Sequence, residues 1–273
     1  MTSPSPLSPA DVVAGLRAAG CVFAEEEARL LLTAAEAPGP GLLAALLARR
    51  ISGEPLEHVL GWAEFRGARY AVDPGVFVPR PRTAFLVDRA AALAPRGLPG
   101  TPVVVDLCCG SGALGAALTA ELGGAELHSA DIDPPAVECA RRNVAPAAGT
   151  VYEGDLCAPL PRRLRGRVDL LLANVPYVPT AEIRLLPAEA RDHEGHLALD
   201  GGADGLDVLR RVAAEAPGWL APGGSFLCET GERQAAEAVR IIRAAGLEPG
   251  VARCEELWAT VVTGTRSGTR PRA

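Results

Sequence analysis

The chain has 273 residues with a formal net charge of −6, and 48% of its residues are hydrophobic. This composition is typical of a globular protein, and the length suits one large domain or a catalytic domain with a smaller partner. The acidic balance speaks against broad nucleic-acid binding, no apolar stretch reaches the roughly 18 residues of a membrane span, and the N-terminus lacks the pattern of a secretory signal.

Residues 1–59 carry helical patterning and are predicted to form a small domain. Ser8 followed by Pro9 is typical of a helix start, with the serine as N-cap and the proline in the first turn. We predict a first helix that continues through Ala19, a second from Ala24 to Ala37 and a third from about Leu42 to Ile51. The apolar faces of this helical bundle are expected to come from Leu30, Leu31, Leu32, Leu42, Leu43, Leu46 and Leu47.

Residues 60–82 have a different texture. The stretch 61–72 alternates between apolar and polar residues, which predicts a two-stranded hairpin that turns near Gly67. The following segment, from Phe77 to Arg82, contains two prolines and is expected to be an extended connector. A helix from about Thr83 to Leu93 should follow it.

Strand and helix patterns alternate after Gly100. The predicted strands are 102–107, 126–131, 149–153, 168–173, 224–229 and 258–263. The predicted helices are 112–122, 134–145, 204–220 and 232–245. Repeated βα units imply a doubly wound, mostly parallel sheet covered by helices on both faces, so residues 83–273 are predicted to form an α/β domain.

A glycine-rich turn follows the first of these strands. It begins at Asp106 and continues Leu-Cys-Cys-Gly-Ser-Gly to Gly112. Ligands of such sheets bind at the carboxyl ends of the strands, and Gly110 and Gly112 allow a cofactor to lie against the backbone. Asp131 closes the next strand, where a carboxylate can accept both hydroxyls of a ribose. After the third strand, Gly154-Asp155-Leu156 is either a plain surface turn or a contact of Asp155 or Leu156 with an adenine ring.

A second motif, Asn174-Val175-Pro176-Tyr177, follows the buried strand 168–173. An amide nitrogen is a poor nucleophile, so an enzyme that modifies it must mainly orient it. The side-chain oxygen of Asn174 and the carbonyl of Val175 can hold a planar NH2 group through two hydrogen bonds. Pro176 favours an extended Val175, and Tyr177 can pack its ring on the amide.

The two motifs together indicate a reaction. The pattern Gly110-x-Gly112-x-x-Gly115 also suits NAD and is weak evidence alone. Together with Asp106, Asp131 and the motif at 174–177, it favours methyl transfer from S-adenosylmethionine to an amide or exocyclic amine nitrogen.

Asn-Val-Pro-Tyr resembles the Asn-Pro-Pro-Tyr signature of amino-group methyltransferases. The whole chain is similar to the PrmC/HemK family of protein-(glutamine-N5) methyltransferases. The resemblance implies a Rossmann-like S-adenosylmethionine-dependent methyltransferase domain, joined by a β-hairpin to an N-terminal helical domain that engages a protein substrate. The resemblance further implies that this substrate is a peptide chain release factor, which is methylated on the glutamine of its Gly-Gly-Gln motif. The similarity is carried by Gly53–Leu56, the hairpin, Asp73–Pro81, the glycine turn, Asn174–Tyr177, Leu197–Leu206 and Glu229–Gln234.

These arguments assign the expected site residues. The expected cofactor contacts are Asp106, Cys108, Cys109, Gly110, Ser111, Gly112, Asp131, Ile132, Asp155, Leu156 and Asn174. The expected substrate contacts are Arg80, Pro81, Asn174, Val175, Pro176 and Tyr177, and the last four are also the expected catalytic residues.

The chain departs from the family pattern at four places. Val175 replaces the first proline of the signature, but the carbonyl needed there belongs to the backbone. Cys108 replaces a glycine and crowds the cofactor turn. Arg82-Thr83-Ala84 stands where the family usually has Glu-Thr-Glu, which reverses a charge near the site, and Glu194-Gly195 lacks a usual proline. We expect these changes to affect substrate identity more than chemistry.

Other features are assigned simpler roles. The seven scattered cysteines favour free thiols in a reducing cytoplasm. His193 and His196 have metal-like spacing without matching ligands, so a solvated loop is preferred and no metal is expected. Two alternatives remain open: N6-adenine methylation of DNA or RNA on a flipped base, although direct nucleic-acid binding is not expected, and a non-catalytic protein that binds the cofactor without turnover.

Overall fold

The computed structural model describes residues 7–36, 41–95 and 100–268. The chain begins with four helices, α1 (Pro9–Ala18), α2 (Ala24–Ala35), α3 (Leu42–Ile51) and α4 (Leu56–Leu60). Ser8 caps α1 as predicted, because its hydroxyl accepts a hydrogen bond from the Asp11 N–H and the Asp11 carboxylate accepts one from Ser8. The predicted end of the second helix at Ala37 lies outside the described residues. Helix α4 has five residues, too few to show a helical period in the sequence.

These helices share a hydrophobic cluster of their own. It is formed by Val12, Leu16, Ala24, Ala28, Leu31, Leu46, Leu47 and Val59. The prediction that Leu30 and Leu32 belong to this core is wrong. Successive helical residues are rotated by about 100°, so three consecutive leucines cannot all face inward, and only Leu31 does.

A hairpin links the helices to the rest of the chain. It consists of β1 (Trp62–Phe65) and β2 (Ala68–Ala71), which are antiparallel with Trp62 opposite Ala71. The two turn residues, Arg66 and Gly67, have φ angles of 51° and 75°, the conformation that suits a two-residue hairpin turn. The chain after the hairpin packs against the helix at 134–144 through Val72, Val76 and Val78. This packing holds the connector beside the sheet.

The central sheet has seven strands: β3 (Val103–Leu107), β4 (Glu126–Asp131), β5 (Thr150–Glu153), β6 (Val168–Ala173), β7 (Leu220–Thr230), β8 (Glu248–Cys254) and β9 (Ala259–Thr265). Their order is β5-β4-β3-β6-β7-β9-β8. Every pairing from β5 to β7 is parallel, whereas β9 is antiparallel to both of its neighbours. The predicted α/β fold with a mostly parallel sheet is confirmed.

Helices cover both faces of this sheet. They are α5 (Ala84–Leu93), α6 (Ala113–Glu121), α7 (Pro134–Val144), α9 (Asp207–Trp219) and α10 (Ala235–Ala244), whereas the short α8 (Ala188–His193) has no buried residue. Side chains of a strand alternate between faces: Val103 and Val105 join a cluster with α9 and α10, and Val104 joins one with α5 and α6. None of the helices in the described ranges is long and apolar enough to cross a bilayer.

The sequence did not predict strand β8. It begins Glu248-Pro249-Gly250, and proline and glycine are unfavourable inside a strand. Because β8 is at the sheet edge and pairs with β9 alone, Pro249 removes no hydrogen bond that a second neighbour would need. Edge strands tolerate proline for this reason.

Candidate active site

A cavity of about 970 Å³ opens at the carboxyl ends of β3, β4 and β6. Its size is at the upper end of the range for ligand pockets, which suits a cofactor together with a substrate side chain. The predicted site residues on its wall are Arg80, Pro81, Asp106, Cys108, Cys109, Gly110, Ser111, Asp131, Ile132, Asn174, Val175, Pro176 and Tyr177. The structure therefore brings the two sequence motifs together around one space.

Hydrogen bonds hold the glycine turn to the end of β4. The Cys109 N–H donates to the Ala130 carbonyl at 3.1 Å, and the Gly110 N–H donates to Oδ2 of Asp131 at 2.8 Å. A Cβ atom placed on Gly110 would meet only the Cβ of Phe77, at 3.9 Å. The backbone of Gly110 is thus open toward the cavity, and a flat ligand can approach it closely.

Cys108 occupies a backbone conformation that favours glycine. Its φ angle is +53°, in the left-handed region where a side chain costs about 1–2 kcal/mol. This explains why a glycine suits the position better. Burial raises the pKa of the Cys108 thiol well above its ordinary value, and the neighbouring Asp131 adds to the rise, so the side chain is a neutral thiol.

Two carboxyl groups face the turn from different depths. Asp106 is fully buried; its Oδ2 accepts a hydrogen bond from the Gly115 N–H at 2.9 Å, and Oδ1 has no partner among the described residues. Burial raises the pKa of Asp106 to about 7, the Gly115 hydrogen bond opposes this, and Asp131 adds to it. Asp131 is half-buried, and burial raises its pKa too, against hydrogen bonds from Asp133 and Gly110.

These residues fit S-adenosylmethionine. A cofactor with a sulfonium and an ammonium group is stabilised by nearby carboxyl groups, and Asp106, whose Oδ1 has no partner among the described residues, contributes one to the wall. Each oxygen of Asp131 already accepts one backbone N–H, from Gly110 and from Asp133. A carboxylate oxygen has a second lone pair, so Asp131 can still accept ribose hydroxyls.

Three predicted cofactor residues are not on the cavity wall as described. A Cβ on Gly112 would lie 3.0 Å from Val144 and 3.1 Å from Ala140 of α7, so this glycine allows close packing against α7, and its contact with the cofactor stays a prediction. Asp155 pairs with Arg211, and Leu156 is 6% exposed within the core. Contacts of Asp155 or Leu156 with an adenine ring stay a prediction.

Asn174 lies directly after β6, where it borders the cavity. Its Oδ1 is buried and, within the part of the chain that the structure describes, has no hydrogen-bond partner. A buried oxygen without a partner is costly, and Asn174 lines a space that a ligand can fill. Asn174 is therefore a ready acceptor for a donor group from outside the chain.

A glycine loop fixes the backbone of the motif from behind. Cβ atoms on Gly201 and Gly205 would lie 2.7 Å from the Pro176 carbonyl oxygen and 2.3 Å from that of Tyr177. Only glycine allows this close approach. Gln234 Nε2 donates to the carbonyls of Tyr177 and Asp204, both at 2.9 Å. The stretches 197–206 and 229–234, which carry the family resemblance, therefore support the backbone of the motif.

A second loop closes the cavity from the other side. Arg80 Nη2 donates to Oε1 of the buried Glu194 at 2.5 Å, which ties the connector to the loop that contains Gly195. Helix α8 precedes this loop, and its Glu189 accepts a hydrogen bond at 2.7 Å from Arg50 of α3. Because the guanidinium of Arg80 is held by Glu194, contact between Arg80 and a substrate stays a prediction.

Sequence reasoning missed several residues of the site. Arg82 and Thr83 both bind the buried Glu229 at the end of β7, and Gln234 supports the motif as above. The signal for Glu229 and Gln234 was present in the stretch 229–234, which was used only for resemblance. Glu256 and Leu257, in the turn between β8 and β9, also line the cavity and carried no sequence signal.

His193 and His196 are the two histidines with metal-like spacing in the sequence. His196 lines the cavity, and its side chain is 68% exposed. Nδ1 of His196 lies 3.9 Å from a carboxylate oxygen of Asp200. In the described ranges, no group of three or more His, Cys, Asp or Glu side chains is placed to hold a metal ion.

Known proteins share the sequence and fold of this chain. Residues 71–190 match the family model of the methyltransferase small domain. The release factor glutamine methyltransferase of Streptomyces coelicolor is 36% identical over 83% of this chain and 77% of its own length. That of Bifidobacterium longum is 35% identical over 85% and 88%. A 4-amino-L-phenylalanine/4-methylamino-L-phenylalanine methyltransferase of Streptomyces pristinaespiralis is 37% identical over 72% and 68%.

Solved structures agree on the fold. A Pyrococcus furiosus methyltransferase has a TM-score of 0.54 at 16% identity and covers 74% of this chain and 90% of its own. The Thermus thermophilus 16S rRNA N2 G1207 methyltransferase, in complex with AdoMet and guanosine, has a TM-score of 0.53 at 22% identity and covers 75% and 49%. With a cavity at the strand ends that suits the expected cofactor, and with relatives alike over most of their length, the chain is an S-adenosylmethionine-dependent methyltransferase and belongs to the family of release factor glutamine methyltransferases.

Proposed function

We propose that this protein methylates the side-chain amide nitrogen of the glutamine in the Gly-Gly-Gln motif of a peptide chain release factor. The names of the relatives support this substrate. The observation that carries the proposal is the buried, unpartnered Oδ1 of Asn174 on the cavity wall. An oxygen in this position selects a ligand that brings a hydrogen-bond donor, as an NH2 group does.

The motif residues act by orienting the amide. Asn174 Oδ1 and the Val175 carbonyl each accept one hydrogen of the NH2 group, which places the nitrogen lone pair toward the cofactor side of the cavity. The bound cofactor would supply an electrophilic methyl group, and its sulfur would keep the electron pair of the broken carbon–sulfur bond. As the nitrogen lone pair becomes a bond to carbon, its hydrogens become more positive, so both acceptors bind the transition state more strongly than the ground state. The nitrogen then releases one proton and regains its planar amide form.

The backbone around the motif supports this assignment of acceptors. The carbonyl of Tyr177 is taken by Gln234, and that of Val178 by the Gly201 N–H at 2.9 Å. Val175 is 2% exposed and borders the cavity. Its carbonyl is the natural second acceptor, and its identity as valine instead of proline leaves that atom unchanged.

We also propose that residues 1–59 form the domain that engages the protein substrate, with 60–82 as hairpin and connector and 83–273 as the catalytic domain. The separate hydrophobic cluster of α1 to α4 supports the division. The Arg50–Glu189 ion pair supports a role near the site, since Glu189 lines the cavity. The cysteines at 21, 108, 109, 139, 157, 228 and 254 are free thiols, which suits a cytoplasmic enzyme.

The test uses the purified chain with methyl-labelled S-adenosylmethionine and four acceptors. These are a release factor, the same factor with its Gly-Gly-Gln glutamine changed to alanine, 4-amino-L-phenylalanine, and an adenine-containing single-stranded DNA. We expect label in the first acceptor alone, located on the glutamine by mass spectrometry of the peptide. Label in the amino acid or the DNA without label in the release factor, or no transfer at all, would overturn the proposal.

A further inference from the structure

The hydroxyl of Tyr177 is held by a charged pair that the sequence motif does not reveal. Arg82 Nη2 donates to this hydroxyl, and the hydroxyl donates to Oε1 of Glu229 at 3.2 Å. Arg82 Nε donates to the same Oε1 at 2.8 Å. The three groups form a closed ring of hydrogen bonds, which fixes the hydroxyl from two sides.

Glu229 requires this arrangement because it is buried. Its side chain is 3% exposed, whereas that of Arg82 is 44% exposed. The other carboxylate oxygen accepts the Thr83 hydroxyl at 2.8 Å. A buried carboxylate is tolerated only with a counter-charge and filled hydrogen bonds, and Arg82 supplies the charge. A glutamate at position 82, as the family pattern has it, would place a second negative charge against Glu229.

Burial keeps the hydroxyl of Tyr177 protonated. Burial, aided by the nearby Glu229, raises the pKa of the Tyr177 hydroxyl above its ordinary value, although Arg82 opposes this. The hydroxyl stays protonated and remains the donor to Glu229. Two contacts at the hydroxyl, together with the Gln234 hydrogen bond at the Tyr177 carbonyl, leave the ring little freedom to tilt.

We propose that Arg82 is a positioning residue for methyl transfer, and that it acts by fixing the ring of Tyr177 as one wall of the amide pocket through Glu229 and the tyrosine hydroxyl. This inference rests on the proposed function. Both Arg82 and Tyr177 line the cavity, and the guanidinium carbon is 5.7 Å from the centre of the ring. Because Glu229 matches its charge, Arg82 adds no net charge to the wall, which suits a neutral amide.

The test is a double-mutant cycle of Arg82→Met and Tyr177→Phe, with Arg69→Met as control. Arg69 lies over the Trp62 ring in the hairpin, 3.9 Å from its centre, and does not line the cavity as described. We expect Arg82→Met to lower kcat by about ten- to a hundredfold with KM for the cofactor unchanged, on the scale of a misplaced group. The double variant should match the slower single variant. Effects that multiply, or an unchanged kcat in Arg82→Met, would overturn the proposal.

Two further variants separate positioning from stability. Arg82→Met removes the counter-charge of the buried Glu229 and can therefore destabilise the fold. The double variant Arg82→Met/Glu229→Gln removes both charges, so it can be assayed if the single variant unfolds. Its turnover should remain below that of the wild type. Arg82→Lys retains the charge and should have the same melting temperature as the wild type. A lysine lacks the planar fork that spans both partners, so turnover should stay below that of the wild type. Full turnover in either variant would contradict the role.

A substrate-independent readout distinguishes failure of this inference from failure of the proposed function. The chain has three tyrosines, so 3-fluorotyrosine labelling gives three ¹⁹F resonances, and Tyr177→Phe identifies one. In Arg82→Met we expect that resonance to shift or broaden while the other two stay in place. If the Tyr177 resonance is unchanged in Arg82→Met, the positioning role is refuted, whether or not the wild type methylates a release factor. A moved resonance with an inert wild type rejects only the proposed substrate.

Discussion

Replacing Asn174 with alanine removes one of the two acceptors assigned to the substrate amide. Loss of one preorganised hydrogen-bonding group costs about 2.7–4 kcal/mol of transition-state stabilisation, or about a hundred- to a thousandfold in kcat. Asn174 Oδ1 has no partner among the described residues, so its removal strands no protein group. We therefore expect the free energy of unfolding to change by less than about 1 kcal/mol.

The other asparagine of the chain is a matched control. Asn143 Oδ1 accepts the Ala71 N–H at 2.8 Å, and its Nδ2 donates to the carbonyls of Ala71 and Ser111, both at 2.8 Å. Asn143→Ala removes these three hydrogen bonds and leaves their backbone partners unpaired at about 1–3 kcal/mol each, so it should lower the free energy of unfolding by at least about 3 kcal/mol. The two variants should thus show opposite profiles: one slow and stable, the other less stable and still active.

The assay combines three measurements on each variant. Single-turnover transfer to a release factor gives the chemical rate, calorimetry gives the dissociation constant of S-adenosylmethionine, and urea denaturation gives the free energy of unfolding. Asn174→Ala should bind the cofactor within a few fold of the wild type. If Asn174→Ala transfers the methyl group at a rate within about threefold of the wild type, far from the expected loss, the acceptor role is refuted.

Three other predictions concern the wall and the domain contact. Because Cys108 has a φ of +53°, Cys108→Gly should be more stable to urea than Cys108→Ala by about 1 kcal/mol; equal stabilities would show that the turn relaxes. Burial raises the pKa of Asp106 to about 7, above its value of about 3.9 in the unfolded chain, so the folded state binds the extra proton between these values. The wild type should lose stability relative to Asp106→Asn as the pH rises from about 4 to about 7, and a pH-independent difference would contradict this. Arg50 and Glu27 are 7% and 8% exposed and paired at 2.7 Å, so Arg50→Met should cost about 3–5 kcal/mol; adding Glu27→Gln should recover part of it, and no recovery would argue against an uncompensated charge.

The elements that sequence reasoning predicted well are those with strong local signals. Strands β3 and β6 are mostly apolar and buried along their whole length, because helices cover both of their faces. Their ends place Asp106 and Asn174 at the cavity, which the motifs had indicated. Strand β8 was missed because its proline and glycine contradict local propensity, and only its edge position permits them.

The supports of the site were not predictable from local sequence. Arg82 and Glu229 are 147 residues apart, and nothing near either residue indicates the other. Gly112 is predicted to contact the cofactor, and its sequence neighbours do not reveal that Ala140 and Val144 of a later helix also leave little room for a side chain there. Local chemistry thus indicated residues that line the cavity, and tertiary packing determined which side chains hold those residues in place.

The character of the pocket leads to one more prediction, on selectivity between glutamine and glutamate. The polar groups assigned to hold the substrate nitrogen, Asn174 Oδ1 and the Val175 carbonyl, are both acceptors. A carboxylate brings no hydrogen to them, so a release factor with glutamate in its Gly-Gly-Gln motif leaves Asn174 unpartnered and adds repulsion between oxygens. Each unmade hydrogen bond costs about 1–3 kcal/mol, so the loss of two should weaken competition by at least about thirtyfold relative to the same factor with glutamine.

A methionine at the same position of the release factor separates the cost of the lost hydrogen bonds from that of the repulsion. Its side chain has a similar length but carries neither a charge nor a hydrogen-bond donor. Competition assays at neutral pH should rank glutamine first, methionine second and glutamate last, since methionine loses the hydrogen bonds but adds no repulsion. If glutamate competes as well as glutamine, the wall must contain a donor. The amide would then be held through its oxygen, and Asn174 would present its NH2 group to the substrate.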